Sequence, residues 1–333
     1  MFVKEYCRTS KMSFPGAFMT ISRFSSVVCA TIVCGVCIPV VQADETPDGN
    51  GVIRRKAGSS EIVITTTKRL AGAIDSLTWN GKEFIDSHDH GRQLQSACSF
   101  NCGQTNAFWA ECYNPTEAGS RKDGLGETSS SKLLRFSASW AELRTRTQMA
   151  FWLAPGEKSS GRPALNTTVL SEHHLEKFVH IGHKDLPNVI EYDVTFTVPK
   201  GELHTYAQFE ALTGYMPPEF NRFWKLLPES GKLEALSEGP GEQNRPLVFS
   251  TEDSAYAMGI FSPDQPARGY EQAGCGRFSF TAEKVVKWNC VFRVRDAKGV
   301  PAGDYSYRMF VAVGTLEDVR QSLNSLVREF SKL

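Results

Sequence analysis

Gly72-Ala-Ile-Asp-Ser-Leu-Thr-Trp79, Asn80-Gly81 and Lys82-Glu-Phe-Ile85 spell a β-hairpin, and the fold class follows from that reading. Both central residues of a type I′ turn need φ > 0, which asparagine and glycine accept at the least steric cost. Just upstream, Glu61-Ile-Val-Ile-Thr-Thr-Thr67 is β-branched almost throughout, which suits a pleated surface and not a helix. Downstream, runs of the same kind recur at 133–140, 147–153, 167–181, 189–198, 204–212, 247–250, 255–261, 277–281, 285–295 and 304–313. Roughly a dozen strands without βαβ rhythm predict an all-β sandwich or barrel, and argue against a doubly wound nucleotide-binding fold.

Two stretches interrupt the strands. Residues 113–132 and 214–246 are dense in Gly, Pro, Asn and Ser, so both read as long loops. Loops of this length inside a compact domain act as lids or binding loops, or hide a short helix, here expected near 220–227. The chain ends in a helix. Thr315 can cap it, Glu317 and Asp318 occupy the first turn, and Leu316, Val319, Leu323, Leu326, Val327 and Phe330 follow a 3.6 period.

The chain has 333 residues, with 37 basic and 37 acidic, so no global field recruits nucleic acid or an anionic membrane. Arg23, the apolar run 24–41 and the exit Val41-Gln42-Ala43 have the form of a secretory signal cleaved after Ala43, with translation beginning as late as Met12 or Met19. The rival reading is a membrane anchor; Pro39 and the small-residue exit favour cleavage. Residues 1–43 are therefore expected to be removed, 44–58 to be a flexible tether, and 59–333 to form one secreted or periplasmic domain with no further membrane span. The mature chain keeps Cys98, Cys102, Cys112, Cys275 and Cys290, an odd number that implies a free thiol in an oxidising compartment. Cys275 and Cys290 flank a hairpin and either bridge or stay as buried thiols. The pairing among the other three is open, as is the oligomeric state.

Asp86-Ser-His-Asp-His-Gly-Arg-Gln-Leu-Gln95 is the densest polar stretch. If the strand continued past Ile85, period 2 would place Asp86, His88, His90 and Arg92 on one face, lining a wet cleft. Arg92 and Gln95 suit hydroxyl recognition, and His88 and His90 are acid/base candidates because imidazole as a side-chain type suits that role near neutral pH. Ordinary ion pairs and loop histidines compete with both readings. A metal bound by Asp86, His88 and His90 ranks behind sugar recognition, because nothing later completes the ligand set. The expectation is no metal and no cofactor.

Further candidates are Asn114 and Glu117 in the first loop, Glu210 before the second, and Glu271 after Arg268-Gly269-Tyr270. His173-His174 lies mid-strand, so only one of the two faces inward. Trp109, Tyr215, Phe220, Phe223 and Trp224 offer aromatic planes for sugar rings, though most such residues are core. No Gly-x-Ser-x-Gly, P-loop, HExxH or dinucleotide signature occurs.

The run Ala71-Gly-Ala-Ile-Asp-Ser-Leu-Thr-Trp-Asn-Gly-Lys-Glu-Phe-Ile85, followed by Gly91-Arg92, resembles the opening of galactose-mutarotase-like proteins. The resemblance implies a large antiparallel β-supersandwich, here followed by the one C-terminal helix read from its periodicity, and a protein that handles carbohydrate. It implies that Arg92 touches sugar hydroxyls, and that a histidine acid and a glutamate base act on the ring, without a motif that fixes which. The combined expectation is a carbohydrate-active protein. Arg92, Gln95, Asn114, Tyr215 and Trp224 would bind the sugar, and the acid/base groups would be drawn from His88, His90, Glu117, Glu210 and Glu271. Lyase or hydrolase chemistry, or a non-catalytic glycan-binding module, all fit that set.

Overall fold

The computed structural model describes residues 47–331, so the expected signal over 1–43 lies outside the described residues. The chain runs β1 (Gly51–Ala57), β2 (Ser60–Thr66), β3 (Ile74–Trp79), β4 (Lys82–Glu83), β5 (Leu94–Phe100), β6 (Pro115–Thr116), β7 (Lys132–Ser139) and β8 (Glu142–Phe151). A two-residue hairpin, β9 (Lys158–Ser159) with β10 (Arg162–Pro163), stands apart. There follow β11 (Leu170–His183), β12 (Leu186–Val198), β13 (Tyr206–Met216), β14 (Arg222–Leu227), β15 (Lys232–Leu236), β16 (Gly241–Gln243) and β17 (Leu247–Ser250). Then come β18 (Ala257–Phe261), β19 (Cys275–Phe280), β20 (Val285–Arg295), β21 (Gly303–Gly314) and helix α1 (Leu316–Phe330).

The strands pair antiparallel in two ladders. One runs β1–β2–β3–β5–β13–β20–β19–β16. The other runs β7–β8–β11–β12–β21–β18–β17–β14–β15. Short β6 pairs with β5 of the first and β8 of the second. Ile62, Ile64, Phe100, Phe209 and Trp288 of the first ladder share one buried cluster with Leu175, Val179, Tyr192, Phe196 and Met309 of the second. This is an all-β sandwich, as the strand rhythm predicts. On the other face of the second ladder, Val319, Leu323 and Leu326 of α1 cover Val248, Ala257, Phe310 and Ala312. A reciprocal Thr315–Asp318 capping box starts that helix. Each fully buried apolar side chain contributes about 1.5–3 kcal/mol, so docking outweighs helix propensity.

The hairpin is as expected: Asn80 and Gly81 have φ of 50° and 72°, and Trp79 faces Lys82. Cys275 and Cys290 sit opposite each other as free, buried thiols.

Three expectations are corrected. Residues 44–58 are not a tether throughout, because β1 pairs with β2 along its whole length across the Gly58 turn. The basic run Arg54-Arg55-Lys56 hides the strand from a polarity reading, while Ile53 and Ala57 face the core. Residues 214–246 are not an open lid: β13 continues to Met216 and β14, β15 and β16 fill the rest. The 220–227 segment is strand β14 and not a helix, because pairing with β15 and β17 satisfies its backbone on both sides. The third correction is to the polar stretch. The chain leaves β4 at Glu83 and rejoins a strand only at Leu94, so Asp86, His88, His90 and Arg92 share no strand face.

Between the ladders lies a buried ion pair. Lys177 on β11 donates to Glu117, just after β6, and both side chains are 0 % exposed. Glu117 also accepts from the Ser96 amide of β5 at 3.1 Å, and Lys177 donates to the Gly72 carbonyl at 3.1 Å. Glu117 is thereby a structural anchor with no solvent access, and the expectation that it acts on substrate is withdrawn. Lys177→Met should destabilise the protein by about 3–5 kcal/mol, since it strands a buried carboxylate. Adding Glu117→Gln should restore most of the loss. Denaturant unfolding of the single and double variants checks this, and a single variant as stable as wild type contradicts it.

Candidate functional site

The outer face of the first ladder carries the site, and a bulge in β13 makes it. Glu210 pairs with Val291 and Leu212 with Cys290, so β13 has one more residue than β20. Against β5, Glu210 faces Ala97 and Thr213 faces Gln95, with the same surplus. Phe209, Ala211, Leu212 and Met216 point into the core. Strict alternation would send Glu210 and Tyr215, five apart, to opposite faces. The extra residue restores both to the outer face beside Thr213, a re-aiming that bulges commonly perform. Gly214 between them has no side chain because a Cβ there would sit 2.5 Å from the buried Trp288 ring.

These side chains line a cavity of about 230 Å³, together with Gly91, Gln95, Ala97, Ala110, Glu111, Asn114, Thr116, Trp152 and Lys287. Lys287 on β20, opposite Tyr215, reaches Glu210 Oε2 at 3.2 Å, and Thr213 Oγ1 donates to the same oxygen at 2.8 Å. The Lys287 ammonium also lies 5.2 Å from the Tyr215 ring centroid and 5.4 Å from that of Phe278. Burial pushes the Glu210 carboxyl up, but the Lys287 charge and the hydrogen bonds outweigh it, so the group sits below the ordinary carboxylate range. Burial pulls Lys287 down, and the Glu210 charge more than reverses that, leaving it above the ordinary lysine value. Tyr215 is pushed up by burial, which Lys287 only partly offsets, so its phenol keeps its proton at neutral pH. Trp152 leans on the Gly91 backbone, where a Cβ would meet its ring at 2.7 Å. Counting Glu111, the cavity holds two carboxylates against one ammonium.

No family model and no curated protein matches this chain. Among solved structures, the fold is similar to an α-galactosidase from Lactobacillus brevis, with 8% identity and a TM-score of 0.43 over 82% of this chain and 40% of that one. It is similar to an α-mannosidase from Enterococcus faecalis V583, with 10% identity and a TM-score of 0.47 over 82% of this chain and 31% of that one. It is also similar to the Slr1438 protein of Synechocystis sp. PCC 6803, with 11% identity and a TM-score of 0.40 over 82% of this chain and 99% of that one. The chain thus spans well under half of the two glycosidases. Scores below 0.5 at these identities assign neither a family nor an activity.

Of the residues expected from sequence, the structure brings together Gln95, Asn114, Glu210 and Tyr215. Gln95 is largely committed to the scaffold: Oε1 accepts from the Ala118 amide at 3.0 Å and Nε2 reaches the Gly91 carbonyl at 3.4 Å. Asn114 spends its amide hydrogens on the Cys98 carbonyl and Ser99 Oγ, leaving Oδ1 as an acceptor. The other candidates fall elsewhere. Arg92 pairs with Asp89 at 3.4 Å and Asp86 at 3.8 Å and does not line the cavity. His90 is buried, with both ring nitrogens 2.7 Å from backbone carbonyls, of Gly124 and Arg69, so neither reaches a substrate. His88 is exposed and outside the cavity. Glu271 is an exposed loop acid that accepts from the Gly269 amide. Trp224 belongs to the second ladder, where it bonds Ser250 Oγ and packs toward α1. The metal arrangement of Asp86, His88 and His90 does not form, because His90 is tied to those carbonyls while His88 points to solvent.

Sequence reasoning missed Glu111, Trp152, Thr213 and Lys287. Lys287 left one legible sign, a lone charge inside Val285-Val-Lys-Trp288. Because the folded Glu210 carboxyl titrates below its unfolded value of about 4.3, its stabilisation is complete above that value. It is lost as pH falls through the lower folded value. Wild-type unfolding free energy should therefore drop more steeply with acid in this window than that of Glu210→Gln, by up to about 1.4 kcal/mol per pH unit. Equal acid slopes in urea titrations would refute the ion pair.

Proposed function

We propose that the cavity between β5, β13 and β20 binds a neutral sugar ring, making the chain a carbohydrate-binding protein first and an enzyme only through further groups. The observation that carries this reading is the Glu210–Lys287 pair, held beside Tyr215 and Trp152. An adjacent carboxylate and ammonium accept from and donate to neighbouring ring hydroxyls, and charge-assisted bonds of this kind are strong. Trp152 offers an apolar plane for the ring face. The volume, about 230 Å³, falls below the roughly 300–1,000 Å³ of drug-sized pockets, which suits one ring and not a buried oligosaccharide. Export, expected from residues 23–43, would place the site among extracellular or periplasmic glycans.

The charge count separates the possible chemistries. A lyase must neutralise a uronate before a base removes the proton, and a cavity with surplus negative charge disfavours that substrate. A general base works best with a pKa near the operating pH, and Glu210 sits well under it. Glu210 therefore orients and does not abstract. Hydrolysis is the second reading, because Glu111 brings a second carboxylate to the same cavity.

Binding of neutral monosaccharides and short oligosaccharides to the purified protein, followed by calorimetry and melting temperature, tests the proposal. Glu210→Gln and Lys287→Met should each weaken binding about tenfold to a hundredfold, the cost of one unpaired buried polar group. Arg92→Ala should leave affinity unchanged. New reducing ends that vanish in Glu111→Gln would establish the hydrolase reading. Preference for uronates, or no sugar bound at millimolar concentration, would sink the proposal.

A further inference from the structure

A second polar cluster lies between β5, β11 and the turn leading into β13. His173 Nε2 is 3.3 Å from Glu202 Oε2, and His204 Nε2 is 2.6 Å from the same oxygen. Among the described residues this cluster brings three metal-ligating atoms within 4.8 Å of one another. The two imidazoles are 1 % and 2 % exposed, while Glu202 reaches toward solvent at 21 %. Among the described residues, neither ring nitrogen of His173 has a hydrogen-bond partner, nor does His204 Nδ1. A buried polar side chain without a partner is costly, and a buried histidine beside a carboxylate and a second histidine calls for an explanation.

The geometry points to a divalent transition-metal site at His173, Glu202 and His204, with zinc as the first occupant. Two imidazoles and one carboxylate are a donor set that zinc takes at about 2.0–2.2 Å per ligand, which spaces ligand atoms about 3.3 Å apart on a tetrahedron. The His173–Glu202 separation already has that value, the shorter His204–Glu202 contact needs to open by less than an ångström, and all three ligand atoms lie within 4.8 Å of one another. The surroundings are those of a supported site. Tyr113 donates its hydroxyl to the other Glu202 oxygen at 2.7 Å, fixing the carboxylate as outer groups do around metal ligands. The Phe100 ring lies 4.8 Å from the His173 centroid and 4.5 Å from that of His204, which holds both planes. Glu202, the most exposed of the three, marks the side from which a further ligand would approach. Zinc here would tie β11 to the 202–204 turn, and through Tyr113 to the 110–113 turn that carries Glu111.

The experiment is a calorimetric titration of the chelator-treated full chain with Zn²⁺, repeated with Co²⁺ for its visible spectrum. One equivalent of Zn²⁺ should bind, with a tetrahedral Co²⁺ spectrum and a raised melting temperature. His173→Gln and His204→Gln should abolish binding, Tyr113→Phe should weaken it roughly tenfold, and His174→Gln, beside the cluster, should leave it intact. X-ray absorption on the wild-type zinc protein should show two imidazoles and no sulfur, which keeps the test decisive if the histidine variants fail to fold. Absence of stoichiometric binding, a sulfur shell, or undiminished binding in both folded histidine variants would overturn the assignment.

Discussion

The buried Glu117–Lys177 pair is the contact on which the rest of the sandwich is hung. The two ladders meet over an apolar core whose close packing already resists sliding of one layer on the other. An ion pair without solvent adds a directional constraint to that packing. Breaking it leaves a charge in a low-dielectric interior, so only the register that closes it is tolerated. The pair joins β11 to the loop after β6, Glu117 holds the Ser96 amide of β5, and Lys177 holds the Gly72 carbonyl ahead of the first hairpin. Ser96 lies between Gln95 and Ala97, which line the cavity. The wall of the site is thus fixed from behind by a charge pair that never meets a ligand.

From that anchor outward, the fold was legible where the hydrophobic pattern is local. The Asn80-Gly81 hairpin, the long alternating strands and α1 each state their conformation within a few residues, because turn chemistry and side-chain periodicity are short-range properties. Strands β1 and β14 were not legible for a matching reason. In β1 the exposed side carries Arg54 and Lys56, and in β14 the neighbours that satisfy the backbone come from 232–236 and 247–250. Pairing partners distant in sequence decide such segments, and composition does not contain them.

The site divides along the same line. Glu210 and Tyr215 draw notice as polar residues near a strand end, but period 2 puts them on opposite faces, and only the bulge reunites them. A bulge is set by the three-strand pairing of β5, β13 and β20, so no inspection of β13 alone reveals it. The opposite error occurred at 86–95, where polar density suggested chemistry. In a loop with few ladder bonds, polar side chains are consumed in satisfying the local backbone. Asp89 accepts from the Gly91 amide, His90 spans two carbonyls, and Arg92 is held by Asp86 and Asp89. The stretch builds the cavity rim and contributes only Gly91 and Gln95 to its lining.

A charged residue alone in an apolar strand is the better guide, because nothing local accounts for it. Lys287 stands between Val286 and the buried Trp288, and Glu210 between the buried Phe209 and Ala211, so each must be compensated across the sheet. They compensate each other, which fixes both and depresses the basicity of the carboxylate. That mutual fixation makes a precise hydrogen-bonding pair and a poor proton acceptor. Glu111 is the second carboxylate of the cavity and is not bound to Lys287. Glu111 sits in the same short turn as Tyr113, whose hydroxyl orients Glu202 between the two buried histidines. One short turn thus carries a carboxylate that lines the cavity and a hydroxyl that bonds to the cluster.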